Sequence, residues 1–428
     1  MLDAVVASAI FLVSLTVIMS EKIERTIAAV GGAGAMLVAG LLLGFYSEAL
    51  ALEAVDFNTL GLLMGMMLVV ALLEPTGFFQ YVAVRAGQLS RGDPWRLMVM
   101  LSLGTTIVSM FLNNVTTVVL IAPVTILLSE VLGLSPVPFL MAEAMLANTA
   151  GVATSVGDPA SVLVSTAGGF SFIDFLTHSL PVVAVSIVVA LGLLRFLFRH
   201  ELKVRPSDPD AMLALDPSEA LHDPVTVRRV GIIGGLAITM FLLQVQLGIS
   251  SAFIALISAS AALVWIQPDT HELVKRIDLD VLMFFTSLFV MVGGLEAAGI
   301  LEIVAETVSK SNLSPVWLGV VIIWVVAIAS ALVDNIPITI AMIGVLQGMN
   351  RAGVDVSALW WAVAFGAGFG GNGTIIGSTA SVVVVSLSQR TRTPITAALW
   401  TRRGLPIMLV SCTITSVIFV LSFDLLSR

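Results

Sequence analysis

Long uncharged stretches separated by short polar segments run through the whole chain. A helix needs roughly 20 apolar residues to cross the hydrocarbon layer of a membrane. Stretches of about that length are Ala4–Ser20, Thr26–Ser47, Phe57–Leu73, Phe175–Leu194, Val230–Leu247, Ser250–Gln267, Val281–Leu295, Val316–Val333 and Gly404–Phe423. The longest polar segment, roughly from Arg199 to Thr226, has the Pro and Asp content of a loop. The pattern predicts an all-α polytopic membrane protein without a separate soluble domain.

Two uncharged stretches, Leu97–Ser129 and Val356–Gln389, are too long to be single spans. The first is interrupted by the sequence Asn-Asn-Val-Thr-Thr at 113–117, and the second by a glycine-rich segment at 366–377. Non-helical backbone at membrane depth is tolerated only inside the protein or along a wet cavity. We therefore expect re-entrant hairpins or broken helices at both places.

Composition agrees with the membrane assignment and removes several other classes of protein. Charged residues make up 11% of the chain and hydrophobic residues 58%, whereas soluble domains carry roughly 25% charged residues. The one cysteine, Cys412, excludes a disulfide scaffold and a thiolate metal site, and the net charge of −8 leaves no basic surface for nucleic acid. No Walker or Rossmann sequence occurs, so we expect a chain that is not an enzyme and that holds no metal or cofactor.

The distribution of Lys and Arg predicts the orientation in the membrane, because cytoplasmic loops are enriched in both. The acidic loop Glu48–Asp56 is expected outside, and the connector at 201–227 is expected in the cytoplasm, at the cell inner membrane. With this assignment the two halves of the chain cross the membrane with opposite polarity.

The two halves also resemble each other in sequence. Segments around three pairs of residues match at a nearly constant offset of 220 to 222 residues: Glu74 with Glu296, Asn114 with Asn335, and Thr154 with Thr374. Inverted repeats with interrupted helices at matching positions are typical of secondary transporters. The first predicted repeat is 1–200, with a hairpin at about 110–133 and a broken helix at about 138–168. The second predicted repeat is 228–428, with a hairpin at about 331–350 and a broken helix at about 357–388.

The polar residues at these interruptions are the candidate binding site. Asn114 and Asn335 occupy matching positions, and Asp158 and Asp334 are the acids at the interruptions. An ionisable group inside the membrane is costly and indicates function, although Asp158 before Pro159 would also cap a helix. We predict that Asp158 or Asp334 carries the coupling proton. The remaining candidate ligands are Asn113, Thr116, Thr154, Ser161, Asn372, Thr374, Ser378 and Ser381.

Basic residues are missing from the same segments. No Lys or Arg lies between Arg96 and Arg195 or between Arg351 and Arg390. The expected site therefore has no basic partner, which favours a neutral solute, a cation or a monovalent anion over a polyanion.

Four motifs resemble the ion transporter superfamily. They are the sequences at 111–118, Gly157-Asp158-Pro159, Asp334-Asn335-Ile336-Pro337 and 370–374. Within the superfamily they are most similar to the branch that holds ArsB-type arsenite efflux pumps, the melanosomal P protein and NhaD-type sodium/proton antiporters. The resemblance implies two inverted repeats, each with a scaffold part and a transport part that moves like an elevator, often in a dimer. It places the hairpin tips at 113–117 and 334–339 and the broken helices at 154–161 and 372–381.

The leading hypothesis is a proton-coupled transporter that exports arsenite or antimonite. Arsenite is mainly an uncharged trihydroxide at neutral pH, which suits a pocket of amides, hydroxyls and an acid. Sodium/proton antiport, with Na⁺ as the coupling ion, and transport of a small anion or carboxylate are the alternatives. A homodimer and a soluble ATPase that docks on the connector are the partners considered besides the lipid bilayer. An intramembrane protease is disfavoured, because Ser155 stands where its Gly-x-Gly-Asp motif needs glycine. A passive channel would not need paired hairpins.

Overall fold

The chain is helical throughout the parts that the structure describes. The computed structural model describes residues 2–20, 22–204, 206, 216–309 and 313–427, and its regular structure in these ranges contains no strand. Nine helices in these ranges are long and apolar enough to span a membrane. The prediction of an all-α polytopic membrane protein is confirmed.

The first half contains ten main helices in the described ranges. They are α1 (Leu2–Ser20), α2 (Arg25–Leu43), α3 (Glu48–Ala54), α4 (Phe57–Leu73), α5 (Phe78–Ser90), α6 (Pro94–Ser109), α7 (Asn114–Val131), α8 (Val137–Gly151), α9 (Pro159–Gly168) and α10 (Phe172–Leu197).

The second half repeats the first helix by helix. Its main helices are α11 (Pro224–Leu242), α12 (Ser251–Ile266), α13 (Thr270–Val274), α14 (Leu279–Ala297), α15 (Ile300–Ser309), α16 (Pro315–Val333), α17 (Asn335–Arg351), α18 (Ser357–Gly370), α19 (Thr379–Ser388) and α20 (Ala397–Leu421). Each of α1–α10 thus has its counterpart ten helices later. Part of the predicted connector, at 205 and 207–215, lies outside the described residues.

Individual hydrogen bonds recur in both halves. The Ser109 hydroxyl donates to the carbonyl oxygen of Ala147 at 3.0 Å, and the Ser330 hydroxyl donates to that of Ala367 at 2.8 Å. Each bond ties the sixth helix of its half to the eighth. The repeat seen in sequence is therefore a repeat in packing as well.

The helices form two bodies. One body, here called the scaffold, combines α1–α4 with α11–α14, and its helices cross between the halves, because α2 packs on α14 and α4 packs on α12. The other body, here called the core, combines α5–α10 with α15–α20. In the core, α9 packs on α17 and α18, while α19 packs on α7 and α8. Each body therefore contains equal contributions from both repeats.

The helix interruptions lie in the core. The chain turns at 110–113 between α6 and α7 and at Asp334 between α16 and α17, so each hairpin includes the helix before its turn. The broken helices are interrupted at 152–158 and 371–378. Gly157 allows the first interruption to pack tightly, since a Cβ atom there would lie 2.8 Å from the carbonyl oxygen of Ser109.

Several spans have other ends than the uncharged stretches suggested, and two of them show the cause. The helix within Thr26–Ser47 stops at Leu43, because Gly44 adopts a left-handed conformation with φ of 82°. The last span begins at Ala397 rather than Gly404 and so includes Arg403. That arginine lies 3.3 Å from Glu201 and also bonds the carbonyl oxygen of Leu197, which compensates its charge.

Glu74 and Glu296, at matching positions, both form ion pairs. Glu74 lies 3.2 Å from Arg276, and Glu296 lies 2.6 Å from Arg351. Because α4 and α14 run in opposite directions, these pairs stand at opposite ends of the scaffold.

Candidate functional site

Four helix N-termini converge at the boundary between scaffold and core. They belong to α7, α9, α17 and α19, and their N-cap residues are Asn113, Asp158, Asp334 and Ser378. The first N–H groups of a helix have no partner within it, and its N-terminus carries a partial positive charge. The inverted repeat therefore brings together four partial positive charges of about half a unit each, two from each half of the chain.

A cavity of about 180 Å³ lies at this meeting point. The core contributes amides, hydroxyls and one acid, and the scaffold contributes charged residues from the start of α2 and the start of α14. The lining residues are Glu24, Arg25, Thr26, Asn113, Asn114, Val115, Asp158, Pro159, Asp278, Asp280, Val281, Phe284, Asn335, Ile336, Ser378 and Thr379.

Asp158 is the centre of the site. Its side chain is buried and accepts hydrogen bonds from the side-chain amides of Asn114, at 3.0 Å, and Asn335, at 3.3 and 3.0 Å to its two oxygens. It also caps α9 by accepting from the N–H of Ala160 at 3.0 Å. Asn114 and Asn335 are matching residues of the two repeats. The carboxyl group therefore joins the two halves of the core.

A chain of buried amides continues behind Asp158. The amide of Asn114 also donates to the side-chain oxygen of Asn148 at 3.0 Å, and the hydroxyl of Ser378 donates to the same oxygen at 2.8 Å. Asn148 donates in turn to Asn372 at 3.2 Å, and Asn372 donates to Thr149 at 3.0 Å. Sequence reasoning missed Asn148, although an amide in the otherwise apolar stretch of α8 was a usable signal.

Arg25 contradicts the expectation that the site has no basic residue nearby. It comes from the first position of α2, far away in sequence, and its guanidinium lies 3.7 Å from the Asp334 carboxylate. It also donates a hydrogen bond to the hydroxyl of Thr379 and stacks over the ring of Phe284, 5.6 Å from the ring centroid. Arg25 is thus held by the scaffold and reaches across to the core.

Asp334 has a strained backbone. Its φ of 126° and ψ of 151° fall in a region that glycine occupies almost alone, at a cost of about 1–3 kcal/mol. Its side chain accepts from the N–H of Asn335 at 2.7 Å and thereby caps α17. Its counterpart in the first repeat, Asn113, has an ordinary φ of −51°.

The two acids occupy different positions in their repeats. Asp334 matches Asn113, and Asp158 matches Ser378. The two repeats thus supply one acid each, at positions that do not match. Among the described residues, Asp334 forms an ion pair with a base and Asp158 does not. The cavity is pseudo-symmetric in shape and asymmetric in charge.

The predicted site residues divide into two groups by location. Asn113, Asn114, Asp158, Asn335 and Ser378 line the cavity, and Asp334 adjoins it through Arg25. Thr116 lines a smaller neighbouring space of about 30 Å³ together with Asn113.

The other predicted residues lie behind the cavity and hold its walls in place. Thr154 and Thr374 donate to the carbonyl oxygens of Met110 and Ala331, the same bond in each repeat. Ser161 donates to the carbonyl oxygen of Gly151 at 3.2 Å. Asn372 belongs to the amide chain described above, and the buried Ser381 hydroxyl has no hydrogen-bond partner within the described residues.

The scaffold side of the cavity is acidic. Glu24, Asp278 and Asp280 line it, opposite Asp158. Asp278 lies just outside the span α14, and burial together with the charge of Asp280 raises the pKa of its carboxyl, while Arg25 lowers it. In the described ranges, no three His, Cys, Asp or Glu side chains are grouped so as to hold a metal ion.

Comparisons with known proteins agree with this architecture. The family model described as "CitMHS: Citrate transporter" matches residues 15–366. The 46 kDa membrane protein of Mycobacterium leprae (strain TN) is 32% identical over 99% of this chain and 100% of its own length. The human P protein is 32% identical over 96% of this chain and 59% of its own length. Among solved structures, the Alcanivorax borkumensis YdaH transporter is similar with a TM-score of 0.57 at 15% identity, over 86% of each chain.

Proposed function

The chain belongs to the CitMHS citrate transporter family, within the ion transporter superfamily that also includes the P protein, and on that premise we propose that it is a proton-coupled secondary transporter. As a member of this family it is a multi-pass membrane transporter. The proposed part is the coupling ion, the solute and the mechanism by which the solute crosses.

The observation that carries the proposal is the placement of Asp158. A buried carboxyl group on the floor of the cavity, bound by amides from both repeats, can exist with or without a proton. Its ionised form is stabilised by the amide donors and by the N-terminus of α9. Its protonated form avoids the cost of a buried charge. Proton binding therefore changes the charge at the boundary between core and scaffold, where alternating access requires movement.

Charge in the cavity disfavours an anionic solute. Glu24, Asp158, Asp278 and Asp280 line the cavity, whereas its one base, Arg25, is already paired with Asp334. A bare polyanion would meet repulsion from these acids. We propose that arsenite or antimonite, as the neutral trihydroxide, is the exported solute, with a hydroxyl group bound by the side-chain amide of Asn113, which lines the cavity.

Transport of a carboxylate is the second candidate. The four helix N-termini and Arg25 are features that attract anions, and the family model is described as a citrate transporter. The acids of the cavity would then need a bound cation to offset the charge of citrate. This candidate predicts transport of citrate only when a cation accompanies it.

The proposed setting is the inner membrane, with the connector in the cytoplasm and the cavity open to the cytoplasm. Arg25 and Arg276 stand on that side of the scaffold, in keeping with the enrichment of basic residues in cytoplasmic loops. A homodimer and an ATPase bound at the connector remain proposals to be tested by the mass of the purified complex.

Gradient-driven transport in proteoliposomes tests these proposals directly. Uptake of arsenite, of citrate with and without Mg²⁺, and of Na⁺ should be compared side by side, with an imposed proton gradient and with an uncoupler. Saturable arsenite transport that the uncoupler abolishes is the expected result. Proton-driven citrate uptake only with Mg²⁺ would establish the second candidate, and Na⁺ flux that changes internal pH without any arsenite effect would establish antiport instead.

A further inference from the structure

An apolar groove of about 430 Å³ separates scaffold from core at a second place. Scaffold residues of α4, α11 and α12 form one wall. Core residues of α5, of α6 and of the turn after α6 form the other, among them Phe78, Ile107 and Phe111. The groove opens sideways, because Ile107 in its lining is 61% exposed. Since α11 is one of the helices long and apolar enough to span a membrane, we infer that the opening faces lipid.

Glycines form the part of the groove wall that α11 provides, whereas the counterpart helix α1 carries larger residues at the matching positions. Gly231, Gly234 and Gly235 line it, and a Cβ atom on any of the three would meet nothing within 4 Å. The matching residues of α1 are Ala9, Leu12 and Val13. In that half α1 packs directly against α16, whereas the groove lies between the matching helices α11 and α6.

A basic side chain stands at one end of the groove. Arg228 follows Val227, which lines the groove, and it is exposed with no ion pair or hydrogen bond in the described ranges. Its neighbour Arg229 is engaged, since it donates to the carbonyl oxygen of Trp265 at 3.1 Å. Arg228 is therefore free to bind an anion at the membrane surface.

We propose that this groove binds one anionic phospholipid, with an acyl chain between scaffold and core and the phosphate group at Arg228. Lipid is the solvent that meets the open side of the groove. Apolar contact alone would not hold one lipid in preference to another, because the acyl chains of all surrounding lipids are equally apolar. Selection therefore comes from the shape that the glycines provide and from the charge of Arg228. One basic residue near the membrane surface corresponds to about a fivefold preference for an anionic head group.

The test is lipid retention by the full-length protein, measured by native mass spectrometry after incubation with phosphatidylglycerol or phosphatidylcholine. The wild type should retain phosphatidylglycerol about fivefold better. Arg228→Gln should remove this preference while a lipid of either kind still binds. The double variant Gly234→Leu/Gly235→Val, which copies Leu12 and Val13, should lose the bound lipid.

The double variant Gly31→Leu/Gly34→Val is the matched control. Both glycines lie in α2 and also have open space around them, but they do not line the groove. This control should retain lipid as the wild type does. Equal lipid retention by the groove variant, or no preference between the two lipids, would overturn the proposal. A dimer that dissociates in the groove variant would show that a second copy of the chain fills the groove, which overturns it as well. If the double groove variant fails to fold, lipid retention by Gly235→Val alone and the lipid preference of Arg228→Gln test the proposal instead.

Discussion

Replacing Asp158 with Asn tests the centre of the site, because the substitution keeps size and removes charge. Asn can still cap α9 by accepting from the N–H of Ala160. Its NH₂ group then takes the place of the oxygen that accepts from Asn114 and Asn335. Two donors would then face a third donor. The NH₂ group of Asn114 would keep only its bond to Asn148, whereas Asn335 would still donate to the other side-chain oxygen.

The expected cost follows from the bonds that are lost. A buried donor left without an acceptor costs about 1–3 kcal/mol. Removal of a buried charge acts in the opposite direction. We expect a net loss of about 1 kcal/mol at a pH high enough to ionise the wild-type Asp158 carboxyl. The loss should shrink at low pH, because the wild-type carboxyl is then protonated too.

Two measurements on purified protein follow from this reasoning. Thermal unfolding in detergent at both pH values gives the stability, and proton-driven arsenite uptake in proteoliposomes gives the function. Coupled uptake should disappear in the variant. Asp93→Asn is the matched control, because Asp93 also caps a helix before a proline, at Pro94, but lies outside the cavity. A folded Asp158→Asn protein with full proton-coupled uptake would refute the assignment of the coupling proton to Asp158.

Three further substitutions test neighbouring features. The Asp334→Gly protein should be about 1 kcal/mol more stable in thermal unfolding than the Asp334→Asn protein. Both lack the carboxylate, but only Asn retains a side chain at the strained φ. Equal melting temperatures would argue against the strain. Arg25→Gln should raise the KM for an anionic solute such as citrate at least tenfold, because a charged hydrogen-bond donor is lost. The KM for arsenite should change little, so the ratio of the two KM values decides between the candidate solutes. Gly157→Ala should cost about 1–3 kcal/mol in thermal unfolding, because its Cβ would press on backbone carbonyl groups, whereas Gly31→Ala, in open space, should leave stability unchanged or raise it.

The features of the fold that repeat along the chain could be predicted from the sequence. Hydropathy located most spans, and the matching motifs around Asn114 and Asn335 located the hairpins, because helix formation and helix interruption depend on nearby residues. The ends of the last span could not be predicted in this way. Arg403 can lie within a helix only because Glu201 and the end of α10 compensate its charge, and these are distant in sequence.

The site was predictable only in its core part. Asp158, Asn114 and Asn335 were found because each interrupts an apolar stretch. Arg25 was missed because it belongs to a scaffold helix some 300 residues before its partner Asp334. The two residues meet because α2 packs on α14 and α14 packs on the core helix α17. Thr154 and Thr374 lie where hydroxyl groups were expected, but they bond backbone carbonyl groups behind the cavity. A single sequence cannot distinguish a ligand from a hydroxyl that holds a turn.

The crossing of α2 onto α14 and of α4 onto α12 has a consequence for biogenesis. As the chain leaves the ribosome, α2 and α4 enter the membrane before the helices that cover them have been synthesised. The first half must therefore wait in the bilayer with these faces against lipid until residues 251–297 have been inserted. Assembly is completed by the second half of the polypeptide, so an early truncation removes the partners of helices that are themselves intact.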